Sequence, residues 1–110
     1  MSEYKPDRWL IVKISPTESP PIFKVLGSWY GGYSGSDSYR FSSGITKIKE
    51  NTNHYEIDNH SGSKYICYKT VEGVSSYAYS VYTEFKEKLE NSNMGTMETI
   101  NIKDIYNDFN

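Results

Sequence analysis

The chain has one cysteine, two histidines, two tryptophans and four prolines among 110 residues. A lone Cys67 excludes an intramolecular disulfide, and with it a disulfide-stapled fold. No stretch approaches the ~20 apolar residues of a membrane-spanning helix. No apolar run near the N-terminus resembles a secretion signal. A cytoplasmic, reducing location and no membrane partner are therefore expected. A dominant charge is also missing: 12 Lys and Arg stand against 14 Asp and Glu, for a formal net charge of −2, and the pI is near 5.6. Indiscriminate phosphate-backbone binding relies on a basic field, so nucleic acid is not an expected partner, although a local basic patch stays open.

What is abundant is tyrosine, with eleven in the chain. Only 36% of residues are hydrophobic and mean hydropathy is −0.69, so the core must be economical. Tyrosine suits that shortage, because its ring packs while its hydroxyl stays hydrogen-bonded or wet. Aromatics at 15% of the chain argue against disorder. The length fits a single domain, 1–110, with one core.

The run RWLIVKI (8–14) reads as a first strand and IFKVLGSWY (22–30) as a second, with a proline-rich loop between them. DSYRFS (37–42) and ITKIKE (45–50) read as strand segments forming a hairpin or one bulged strand. NTN and NHSGS then punctuate ITKIKE, HYEID and KYICYKT as hairpin turns, so 37–70 reads as an antiparallel meander. The clearest helix is 75–92: Tyr77, Ala78, Val81, Tyr82, Phe85 and Leu89 form one apolar stripe. Ser75 or Ser76 caps its start, Asn93 or Gly95 stops it, and Glu84 and Lys88 stand at ion-pair spacing. METINIKD (97–104) is a last strand that could lie beside the first. Residues 104–110 read as a tail, either mobile or docked through Ile105, Tyr106 and Phe109. The expected class is α+β: a twisted antiparallel sheet of five to six strands with a central meander and one amphipathic helix across one face.

Segment 29–45, WYGGYSGSDSYRFSSGI, holds the candidate ligand-binding residues Trp29, Gly31, Gly32, Tyr33, Gly35, Asp37, Tyr39 and Arg40. It matches neither a Walker pattern nor a dinucleotide fingerprint. Even so, the glycines can expose successive N–H groups as an anion nest. Arg40 can hold a phosphate bidentately, and the rings can stack on a base. The competing reading is a glycine-rich β-connection with Trp29 anchoring the core.

His54, Glu56, Asp58 and His60 recur at period two and offer metal-ligand chemistry. Residues i and i+2 lie about 6.6 Å apart along a strand, so the outer two are ~20 Å apart. One ion cannot collect all four, and a solvated strand face with Tyr55 and Ile57 inward is the stronger reading. No cofactor and no catalytic residue is assigned. Cys67 reads as a buried thiol, and no serine sits on a strand–turn–helix elbow. Tyr79 falls nearly opposite Tyr77 on the helix and is expected to be exposed, as interface tyrosines are.

The order Gly31-Gly32-Tyr33, Asp37-Ser38-Tyr39-Arg40 and Ser43-Gly44-Ile45 resembles a group of small, mostly uncharacterised accessory proteins of tailed bacteriophages. In that group a tryptophan precedes the arginine, where this chain has Tyr39. The resemblance covers the middle third to half of the chain. It implies a phage accessory product, working in the host cell cytoplasm against a host defence or process. The leading expectation is a non-enzymatic binding protein that captures a nucleotide-like anionic ligand through 29–45. The alternative is an inhibitor that masks a host protein with its tyrosine-rich surface. A homo-oligomer would supply enclosed pockets at subunit boundaries.

Overall fold

A computed structural model describes residues 2–31 and 36–110. Among these residues, eight strands form two four-stranded sheets. They are β1 (Glu3–Tyr4), β2 (Arg8–Pro16), β3 (Ile22–Trp29), β4 (Ser38–Phe41), β5 (Ile45–Glu50), β6 (His54–Asn59), β7 (Lys64–Tyr68) and β8 (Gly95–Ile100). Helix α1 spans Ser76–Asn91, and a last short helix, α2, spans Tyr106–Phe109. The first sheet has the order β1-β7-β6-β5, the second β4-β3-β2-β8. None of the helices described is long and apolar enough to cross a membrane.

The class is α+β, as expected, but the single sheet of five to six strands is corrected to two sheets. The physical reason lies in β2 and β3. Along β2, Trp9 and Ile11 point one way and Val12 the other, and all three are fully buried. Along β3, Val25 and Leu26 do the same. A strand apolar on both faces needs a cover on each. Trp9, Ile11 and Val25 pack against Ile48, Ile57, Tyr65 and Cys67 of the other sheet. Val12 and Leu26 pack with Met97 of β8 against Tyr82 of α1. The layers are therefore sheet, sheet, helix.

Segments 37–42 and 45–50 are likewise not a hairpin. β4 pairs with β3, whereas β5 opens the β5-β6-β7 meander in the other sheet. The chain changes sheets at Ser42. This serine is buried; its N–H donates to the Val25 carbonyl at 2.8 Å, and its Oγ accepts from the Val25 N–H at 2.8 Å. The hydroxyl thus replaces a ladder bond while the chain turns the corner. The last strand does lie beside the first long one, Ile11 facing Ile100, but it ends at Ile100 and not at 104. Gly95 opens it with φ +155°, and a Cβ there would lie 2.5 Å from the Ser15 carbonyl oxygen.

The C-terminal segment docks. Ile102 and Ile105 are buried in the inter-sheet core, and Phe109 meets Phe23 edge to face with ring centres 5.6 Å apart. Ser75 caps α1, its Oγ accepting from the Ala78 N–H. At the other end Asn93 has φ 58°. Its N–H donates to Glu90 O, and the Met94 N–H donates to Leu89 O. This is a Schellman stop with asparagine at its left-handed position.

Candidate functional site

The alternation of β4 divides the expected ligand-binding set. Tyr39 stands opposite Ser28 and Arg40 opposite Gly27, so their side chains leave opposite faces of the sheet. Arg40 turns toward the first sheet, with its guanidinium carbon 4.6 Å from the centre of the Tyr4 ring. Tyr4 also meets Trp29 edge-on at 6.3 Å and Tyr65 at 5.0 Å. Trp29 donates from Nε1 to the Lys5 carbonyl at 3.0 Å. It sits half-buried at the rim of the core; the central anchor is Trp9, fully buried and bonded through Nε1 to the Tyr68 carbonyl. Among the described residues the buried Tyr65 hydroxyl has no aligned hydrogen-bond partner. Burial pushes its pKa up to about 12, and the nearby Arg40 guanidinium pulls the other way.

The backbone donors of the glycine segment have internal acceptors. The Tyr30 N–H donates to Asp7 Oδ2 at 2.8 Å, and the Gly31 N–H to Asp37 Oδ1 at 3.0 Å. Gly31 has φ 51°, the left-handed geometry of a nest, but a carboxylate of the chain itself fills the place of an anion. Gly32, Tyr33 and Gly35 lie outside the described residues.

On β6, His54, Glu56 and Asp58 share the outward face, and Tyr55 and Ile57 are buried. The strand ends at Asn59, so His60 falls beyond it. Glu56 accepts from Lys64 Nζ at 3.1 Å and from Asn51 Nδ2 at 2.9 Å. The bonds from Lys64 and Asn51 hold its carboxyl below the usual range. His54 meets Asn53 and Asn51 through its two ring nitrogens. Among the described residues no group of three His, Cys, Asp or Glu could hold a metal ion. Cys67 is fully buried in the inter-sheet core, and burial pushes its thiol pKa up.

The other face of β4 is aromatic. Tyr39 packs on Tyr77 with ring centres 6.0 Å apart, and Phe41 on Phe85 at 5.4 Å. Tyr77 and Phe85 were expected in the buried stripe of α1, yet they are 43% and 47% exposed. The stripe that is covered runs through Ala78 and Tyr82, and Tyr77, Val81 and Phe85 form its flank over β4. Tyr39 is 36% and Tyr79 56% exposed, the latter as its helical position implied. Between β4 and α1 lies a cleft of about 210 Å³, lined by Tyr39, Tyr77, Val81, Glu84, Phe85 and Lys88. Phe85 also borders a groove of about 320 Å³ with Ile14, Leu89, Met94 and Met97. A sequence signal for this face was available: residues 73–83, GVSSYAYSVYT, carry no charge, and the helix takes up charged residues only from Glu84 onward. Comparison with family models, with curated proteins and with solved structures gives no match.

Proposed function

We propose that this chain is a non-enzymatic binding protein that engages another protein through the aromatic face of β4 and the N-terminal half of α1. One observation carries the reading: Tyr39 and Tyr77 are exposed and packed ring on ring beside a helical half that carries no charge, and Tyr79 is exposed on the opposite flank of that same half. Protein interfaces are depleted of charge at their centre and enriched in tyrosine, which supplies contact area at small entropic cost. From the resemblance of the middle of the chain to tailed-phage accessory proteins, we take the target to be a host protein and the outcome to be inhibition of a host process.

Capture of a nucleotide-like anion by 29–45 has weaker support. Tyr39 and Arg40 diverge, and the Tyr30 and Gly31 N–H groups already serve Asp7 and Asp37. The two readings separate experimentally. Affinity purification from a host lysate, run beside a Tyr77→Ala/Tyr79→Ala variant of equal melting temperature, should show a protein retained by the parent and lost from the variant. Retention by both would overturn the helix-face reading. A thermal shift with a nucleotide panel that vanishes in Arg40→Ala would establish the other.

A further inference from the structure

We infer that the β4 edge accepts an extended, antiparallel segment of the partner protein, reading apolar–acidic–apolar across Phe41, Arg40 and Tyr39. The inference rests on the protein-binding reading above and specifies its chemistry.

Sheet edges invite strand addition unless they are short, charged, bulged or covered. Among the described residues the other three edges are managed. β1 is two residues long. β5 exposes Lys47 and Lys49 and has a register shift between Ile45 and Lys47. On β8, Lys86 Nζ covers the Met97 carbonyl at 2.7 Å. β4 is four residues long and its one charge, Arg40, is drawn onto the Tyr4 ring; it has no lysine, proline or register shift.

The ladder fixes what an added strand would meet. The Ser42 N–H bonds to Val25, so by antiparallel alternation the N–H and C=O groups of Arg40 face β3, and those of Tyr39 and Phe41 face outward. A residue opposite Tyr39 or Phe41 would exchange backbone hydrogen bonds and send its side chain to the aromatic face, beside the cleft bordered by Tyr77 and Phe85. The residue between them would stand opposite Arg40, in the closer, non-hydrogen-bonded type of pair. Arg40 is exposed and stacked on Tyr4, and no carboxylate of the described residues pairs with it. An acidic side chain at that central position would supply the missing charge. A second copy pairing β4 with β4 would oppose Arg40 with Ser38, with Ser42 or with another Arg40, and so offers no such match.

The test is selection of a random heptapeptide library on the full chain, followed by synthesis of the enriched consensus. The expected consensus has an acidic residue between two apolar ones. N-methylation of either flanking residue should weaken binding about tenfold or more, by removing an interstrand donor, while N-methylation of the acidic residue should be tolerated. Selection on Arg40→Glu should replace the acidic position with a basic one. An enriched consensus that is lost with Tyr77→Ala/Tyr79→Ala but indifferent to Arg40→Glu and to N-methylation overturns strand addition and leaves the protein-binding reading standing. Failure to enrich any peptide overturns strand addition, and that reading then falls or stands on the lysate comparison.

Discussion

The hydroxyl of Tyr65 is sealed between the sheets, with no aligned partner among the described residues. An orphaned hydroxyl costs about 1–3 kcal/mol, so Tyr65→Phe should leave stability unchanged or raise it by up to about 1 kcal/mol, read in urea melts. A loss of that size would show that Arg40 holds the hydroxyl in solution. The pH profile gives a second reading. Burial raises the pKa of Tyr65 to about 12, and burial also raises Tyr55 and Tyr82. A phenol with a folded pKa above its unfolded value of about 10 contributes fully below that pH. Stability then falls as the pH rises from about 10 toward 12, because the unfolded chain releases its proton first. The parent should weaken over that window, and Tyr65→Phe should weaken less. Which aromatics carry the core was only partly legible at this scale. Trp29 read as an anchor, yet Trp9 fills that place, because Trp9 points into the inter-sheet core while Trp29 ends β3 at its rim.

Helix α1 was legible almost to the residue, since apolar spacing, a serine cap and an asparagine stop are local signals. Its stop is also improvable. An L-residue in the left-handed region costs about 1–2 kcal/mol, less for asparagine, and glycine bears almost none of that cost. Asn93→Gly should therefore raise the melting temperature and Asn93→Ala should lower it, with opposite signs in a single thermal-melt series. β4 was not legible to the same degree. Its four residues resemble half a hairpin with β5, yet they pair with β3, and the chain leaves that sheet at the corner that Ser42 bonds to Val25. β1 was missed altogether, because two residues pairing in parallel with β7 leave no periodic pattern to read. The candidate site divided for a related reason. Tyr39 and Arg40 are adjacent in sequence, and a strand sends adjacent side chains to opposite faces.

In the whole molecule the inter-sheet core is completed by residues from the far end of the chain. Ile105 is 5% exposed between the sheets, and Ile105→Ala should cost about 2–4 kcal/mol, measured by denaturant unfolding. A cost near zero would mean that the core forms without the segment from Ile102 to Phe109. That both faces of β2 need cover could be read from its unbroken apolar run; what supplies the cover could not, because it lies far along the sequence. The same arrangement governs how fast the molecule can form. The central strand β2 pairs next door with β3, but its other neighbour is β8, and Tyr4 must find Tyr65. Contacts this distant delay folding toward the millisecond-to-second range of β-rich domains. Any β2–β3 pairing that precedes β8, α1 and the other sheet leaves two apolar faces open to water, so refolding yield should fall as protein concentration rises, even though the finished molecule hides both.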